Sequence, residues 1–306
     1  MFKRILLLSA VSVCVWAGAA LAAPNARDQA TATKAAIRSA APVEGLKSQG
    51  LDGGGDTVLT FSAPPREAPE EGARIYQPIA EYLAGVIGRK IVYVHPDNWL
   101  TYQTEMLKGG YDIVFDGPHF NSWRIANLKH NTLAKIPDEF VFAVVTKKDG
   151  GQITDIRHLT GKKVCGMSPP NLGTLALLSQ FENPARQPTM INAVGWAKVY
   201  EGVVIENKCV AGVLPVANLK KYDGRGNFTR IVYKTKALPN QAFSAGPRIT
   251  REDQARLAAA LIAPEGAAAT ANLREAFGTE KGLVRAVKDE YAGLDAFLKD
   301  VWGYRR

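Results

Sequence analysis

Cysteine is scarce in this 306-residue chain, and none of its three copies sits in a CxxC pair. A thiol redox centre or a zinc ribbon therefore has no foundation. An HExxH helix and a P-loop are both missing, and "DGRGNF" lacks the glycine spacing of a dinucleotide fingerprint. Blocks of like charge are absent as well. The formal net charge is +9, yet Lys and Arg are scattered rather than massed on one element. That describes a solvated basic surface whose field speeds the arrival of anionic solutes.

The first residues address the compartment. Met1-Phe2-Lys3-Arg4 is a short basic start, "ILLLSAVSVCVWAGAALA" is apolar, and Ala20-Leu21-Ala22 is a small-x-small cleavage site. The apolar run approaches membrane-spanning length, but "APNARDQATATKAA" after it is too polar for a stop-transfer signal. Residues 1–22 are therefore expected to be a removed signal peptide, with the chain exported to a bacterial periplasm. Cys14 follows Val13, not a small residue, which argues against lipidation. Loss of Lys3 and Arg4 lowers the charge by two, to +7, and export makes nucleic acid an unsuitable partner. Cys165 and Cys209 remain. An oxidising compartment permits a disulfide between them, which chain-entropy arithmetic values at roughly 4 kcal/mol; two buried free thiols are the equal alternative.

Hydrophobic content of 46% and charged content of 22% describe an ordinary globular chain. Residues 23–56, rich in Ala, Gly and Ser and ending in "GLDGGGD", read as a disordered leader. From Thr57 short apolar strands alternate with amphipathic helices: "TVLTFSAP", "EGARIYQPIAEYLAGVIG", "KIVYVHP", "WLTYQTEMLKGG", "YDIVFDGP" and "HFNSWRIANL". Such alternation predicts parallel βαβ units. The long extended run "EFVFAVVTKKDGG" interrupts it, and a second series follows from "KKVCGM" to "CVAGVLP". Another extended run, "FTRIVYKTKALPNQAF", leads to two expected helices, "TREDQARLAAALI" and "GLVRAVKDEYAGLDAFLKDVW". No sequence repeat is visible, but the architecture repeats. The expectation is an α/β protein of two lobes, residues 57–145 with 241–306 and residues 146–240, joined by two crossing hinge strands.

In an open parallel sheet, ligands sit beyond the carboxyl ends of the strands. Here those ends carry Arg66, His95-Pro96-Asp97-Asn98-Trp99, Asp116-Gly117-Pro118-His119, Ser168-Pro169-Pro170-Asn171 and Leu214-Pro215. Asp116 fits two roles, a cap for the helix that Pro118 opens or a polar contact in a ligand mouth. Trp99 and Trp196 fit either core or ligand contact. "GMSPP" has the strand-to-helix placement of a nucleophile elbow, but Pro169 supplies no N–H for an oxyanion hole, so Ser168 is a poor nucleophile. His95, Asp97, Asp116 and His119 match no specific metal-ligand spacing.

"RIYQPIAEYLAGVIGRKIVYV", "LKGGYDIVFDGP", "LTGKKVCG" and "NKCVAGVLP" resemble the phosphonate/phosphite family of periplasmic solute-binding proteins. The resemblance implies a type II periplasmic binding protein fold that closes on a hinge over a small-molecule ligand. It also implies a monomer without cofactor or metal, not an enzyme, that hands its ligand to an inner-membrane transporter of the ABC type or to a sensor.

The departures from the family pattern shape the expected ligand. Where the family places a Ser-Ser-Thr run that grips phosphoryl oxygens, this chain has Pro169, Pro170 and Asn171. Trp99 stands for a family tyrosine, Trp196 for a histidine and Leu214 for an acidic residue. Each lost charge-assisted hydrogen bond forgoes about 1.5–3 kcal/mol, and Asp116 in the mouth would repel a dianion. These changes favour a partly apolar organic ligand, up to the size of a lipid, over the alternative of a phosphonate-type oxyanion. The expected contacts are Arg66, His95, Asn98, Trp99, Tyr102, Asp116, His119, Phe120, Ser168, Asn171, Trp196 and Leu214.

Overall fold

Strong local signals set the first lobe. The computed structural model describes residues 58–150, 152–224, 226–299, 301 and 304; the expected signal peptide and leader lie outside the described residues. The first series comprises β1 (Leu59–Ser62), α1 (Pro69–Ile87), β2 (Ile91–Val94), α2 (Trp99–Lys108), β3 (Ile113–Asp116), α3 (Pro118–Leu128) and β4 (Asn131–Lys135). Helix α1 starts on Pro69, carries Glu70 and Glu71 in its first turn, and stops at Gly88 with φ 68°. Proline at the start, acids toward the positive end and a left-handed glycine after the last turn are what a helix terminus rewards. Ile75, Tyr76, Ile79 and Leu83 then fall on one face and are buried against the sheet.

The chain crosses through β5 (Glu139–Phe140) into β6 (Phe142–Lys147), which already belongs to the second sheet. The crossing thus falls earlier than the expected boundary at residue 145. The second series runs β7 (Lys163–Gly166), α4 (Leu172–Leu178), β8 (Thr189–Asn192), α5 (Trp196–Val204), β9 (Ala211–Pro215), α6 (Val216–Asp223) and β10 (Thr229–Lys234). The return strand β11 (Leu238–Pro239) pairs antiparallel with β5, Leu238 opposite Phe140, so the two crossings form one short ribbon. Then come β12 (Ala242–Ala245), α7 (Arg251–Ile262), α8 (Gly266–Ala269), α9 (Ala271–Ala276) and β13 (Val284–Arg285).

The first sheet has the order β13-β4-β12-β3-β1-β2 and the second β10-β6-β9-β7-β8. Each has a parallel core, β2-β1-β3 and β8-β7-β9, extended by antiparallel strands that enter from the crossings. Separate apolar clusters fill the two lobes, one around Phe61, Ile79, Phe115 and Phe243, the other around Phe142, Val164, Val199 and Leu214. Cys165 on β7 and Cys209 before β9 are joined in a disulfide with Cα atoms 5.6 Å apart, which resolves that alternative in favour of the bond.

The expected C-terminal helix is replaced. Residues 284–285 extend the sheet edge beside β4, and two 3-10 turns follow at Lys288–Tyr291 and Leu294–Leu298. The apolar spacing of this stretch suits a helix, but Gly293 sits at φ 74° between the turns, and burial of Tyr291 and Leu298 anchors each turn separately. Tertiary contacts override the local period. The second turn packs on α3 of the first lobe and on α4 of the second.

Candidate functional site

Loops after β1, β2, β7 and β8 converge on a cavity of about 310 Å³ that includes Arg66, Glu67, His95, Asn98, Trp99, Ser168 and Asn192. Deeper between the lobes, a cavity of only about 20 Å³ is enclosed by Arg66, Trp99, His119, Phe120, Phe142, Asn171, Trp196 and Gln241. That is room for about one water molecule. Arg66 and Trp99 line both spaces. The lobes are therefore closed on each other, with aromatic rings filling the centre: Trp99 stacks on Phe120 at 6.3 Å and Trp196 meets Phe142 edge-on at 6.0 Å.

Two caps set the rim. Asn98 accepts from Thr101 N at 2.9 Å and opens α2; Asn171 accepts from Gly173 N at 3.0 Å and opens α4. Gly173 lets α4 approach the second sheet, since a Cβ there would lie 2.6 Å from the Phe142 ring. Ser168 presents its N–H to Asn192 Oδ1 at 3.0 Å, and the Pro169–Pro170 bond is cis.

Arg66 is 5% exposed. Its guanidinium donates to Gln241 Oε1 and to Tyr76 OH, while Nε has no hydrogen-bond partner among the described residues and lies 3.9 Å from Glu67 Oε1. Burial pushes the Glu67 carboxyl above its ordinary value, against the pull of Arg66, and Oε2 of Glu67 also has no hydrogen-bond partner among the described residues. His119 bridges the lobes, its Nε2 lying 3.0 Å from the Pro170 carbonyl oxygen. That contact requires the Nε2–H tautomer. Burial, reinforced by Arg66 and Arg124, lowers its pKa to about 3. Gly117 makes space for the ring, because a Cβ there would meet it at 2.9 Å.

Nine expected residues thus meet around the two cavities: Arg66, His95, Asn98, Trp99, His119, Phe120, Ser168, Asn171 and Trp196. Three do not. Asp116 is neither cap nor mouth residue. Strand β3 is buried along its length, and Asp116 is fully buried, ion-paired to Arg124 two turns along α3. The Tyr102 hydroxyl donates to the same carboxylate and accepts from Arg124, so Tyr102 belongs to this layer too. Burial raises Asp116 from the usual carboxylate value; Arg124 and the hydrogen bond from Tyr102 oppose the rise. Leu214 is fully buried in the second lobe's core. Among the described residues no cluster of His, Cys, Asp and Glu could hold a metal ion.

Glu67, Gln241, Phe140, Phe142 and Asn192 belong to the site without having been expected there. Glu67 was within reach of sequence reasoning, since it follows Arg66 at a strand end. Gln241 was not, because it arrives only through the insertion of β12 beside β3, with Ala242 opposite Asp116.

Solved structures share this architecture. XAC2383 from Xanthomonas citri, bound to ATP, aligns with TM-score 0.61 at 12% identity, covering 79% of this chain and 96% of that one. A binding-protein component of an ABC phosphonate transporter from Pseudomonas aeruginosa aligns with TM-score 0.61 at 11% identity, covering 78% and 84%. PhnD1 from Prochlorococcus marinus, in complex with methylphosphonate, aligns with TM-score 0.60 at 14% identity, covering 80% and 98%. No curated protein matches this sequence. The family model described as "ABC transporter, phosphonate, periplasmic substrate-binding protein" matches residues 61–291. The chain belongs to the family of periplasmic substrate-binding proteins of phosphonate ABC transporters.

Proposed function

We propose that this protein captures a small organic oxyanion of the phosphonate class between its lobes and presents it to an ABC transporter in the inner membrane. The observation that carries the reading is Arg66, a buried guanidinium at the meeting point of both cavities with an unused Nε donor. A charge-assisted hydrogen bond from such a group contributes about 1.5–3 kcal/mol. The main electrostatic objection to an oxyanion also falls away, since Asp116 is neutralised by Arg124 beneath the cleft instead of facing it.

The proline pair at 169–170 still removes donors from the start of α4, so the anion is held from the first lobe. Pro65, Pro69, Trp99, Met167 and Val194 supply apolar wall for an organic substituent. A lipid-sized guest has no support in the Arg66 cleft, because the two spaces that Arg66 lines measure about 20 and 310 Å³. Calorimetric titration with phosphate, phosphite, methylphosphonate and phenylphosphonate tests the reading. At least one phosphonate should bind, and Arg66→Ala should weaken it by about ten-fold or more. Binding of none of the four, or affinity unchanged in Arg66→Ala, would overturn it.

A further inference from the structure

Lysines that are scattered in the sequence meet on one edge of the second lobe. That edge is the end of its sheet opposite the cleft, where β7, β9 and β10 begin and β6 ends. The register fixes the meeting. Lys147 at the end of β6 stands opposite Thr229 of β10, and Thr146 opposite Ala211 of β9, itself paired with Val164 of β7. Lys147, Lys148, Lys162, Lys163 and Lys208 therefore share one rim, on strand ends about 4.8 Å apart. Val210 N donates to Lys163 O at 3.0 Å, and the disulfide at Cys209 ties the same loop to β7. Lys147 Nζ donates to Asn207 Oδ1 at 2.6 Å. Among the described residues none of these five lysines is in an ion pair, whereas Lys108, Lys135, Lys198, Lys221 and Lys281 elsewhere are. Across 147–149, 162–163, 205–210 and 226–228 the acids are Asp149 and Glu206, so cations are in excess.

Two apolar side chains stand out beside them. Ile205, after α5, is 67% exposed, and Phe228, before β10, is 58% exposed. The Phe228 backbone is tied on both sides, its N–H donating to Asp223 Oδ1 at 2.8 Å and its carbonyl accepting from Lys148 N at 2.8 Å. The ring is thus presented by a fixed loop. Phe228, Val204, Lys147 and Lys148 line one basin of about 370 Å³.

We propose that this rim docks the protein on an anionic phospholipid surface, the lysines meeting headgroup phosphates while Phe228 and Ile205 enter the interface. Composition favours a bilayer over a protein face. Interfaces between proteins are depleted in lysine and centre on pockets filled by aromatic residues and arginine. Ammonium groups on flexible stems, with single apolar side chains among them, suit a fluid anionic surface instead. Docking by this end leaves the loops of the cleft uncovered, since they leave the opposite ends of β7 and β8. A protein held so stays beside a transporter in the same membrane, whichever solute the cleft takes.

Sedimentation of the purified protein with vesicles tests the assignment, comparing phosphatidylcholine alone with an equal mixture of phosphatidylcholine and phosphatidylglycerol. The apolar N-terminal segment is common to all variants, so the readout is the ratio of partitioning onto anionic and neutral vesicles. The expected result is a strong preference for the anionic vesicles at about 0.1 M salt. It should vanish at about 1 M, where the screening length falls from about 10 to about 3 Å. Each lysine replaced by glutamine should weaken the anionic partitioning about five-fold, so the pairs Lys162→Gln with Lys163→Gln and Lys148→Gln with Lys208→Gln should each lose more than ten-fold. Phe228→Ser should weaken binding without altering its salt dependence. Thermal midpoints should be preserved; should the first pair lower its midpoint, the second decides. Equal partitioning onto both vesicles, or wild-type partitioning in the lysine pairs or in Phe228→Ser, would overturn the assignment. Retention on a polyglutamate resin without any preference between the vesicles would overturn it in favour of an acidic protein partner.

Discussion

Closure of the lobes should depend on pH through His119. In the closed form its Nε2–H donates to the Pro170 carbonyl across the cleft, and burial lowers its pKa from 6.5 to about 3. The charged groups nearest it are Arg66 and Arg124, both of which disfavour a second cation, with Asp116 tied to Arg124. Once the lobes part, the ring regains water and its ordinary value. The sign follows from linkage: closure selects the neutral ring, so its full strength holds above about 6.5 and declines as pH falls from there toward about 3. Between about pH 7 and about pH 5 the closing equilibrium should fall about 25-fold, close to 1.9 kcal/mol, as an upper figure for full re-exposure.

Fluorescence of Trp99 and Trp196, which line the central cavity, together with the radius of gyration from solution scattering, reports the closed fraction. His119→Gln retains an N–H donor for Pro170 but cannot titrate, so it should remove most of the pH dependence. His95, half-buried at the rim with its pKa also lowered chiefly by burial, supplies the smaller remainder. His130 is a control for folding. It is buried beside Ser244 within the first lobe, so its protonation destabilises the fold without selecting open over closed lobes. Identical pH profiles in wild type and His119→Gln would refute the reasoning.

The buried pair beneath the cleft makes a stability prediction. Asp116→Ala leaves Arg124 charged, 1% exposed and without its counterion, and should cost about 3–5 kcal/mol in denaturant unfolding; an unchanged midpoint would show that the pair is not ionic. Reduction of Cys165–Cys209, which closes a loop with a sequence separation of 44, should lower the unfolding free energy by up to about 4 kcal/mol, and a redox-independent melting curve would contradict that. Trp99 separates the two cavities of the Arg66 cleft. Trp99→Ala should therefore shift selectivity from methylphosphonate toward phenylphosphonate, and an unaltered affinity ratio by calorimetry would count against Trp99 as the dividing wall.

The fold was legible because its determinants are local and redundant. Proline and acids at the start of α1, the asparagine caps of α2 and α4, and glycines after α1 and α2 all agree with the apolar periods between them. The site was legible as far as it rests on one rule, that loops at strand ends converge, and nine residues at those ends did. The rule says where a side chain begins, not which way it points. Asp116 stands at a strand end, but β3 is covered on both faces, and a carboxylate without access to water must find a cation; Arg124, arriving on the following helix, supplies it. The C-terminal stretch fails for the complementary reason. Its helical spacing is real, but Tyr291 donates its hydroxyl to the Asn240 carbonyl and Leu298 inserts beside Tyr102 and Phe120, contacts with partners far away in sequence. Placing those anchors separately costs the helix its continuity at Gly293 and leaves a turn that packs on both lobes. A charge partner fixed by helix pitch can be sought from sequence, whereas a surface assembled from distant strand ends requires the folded chain.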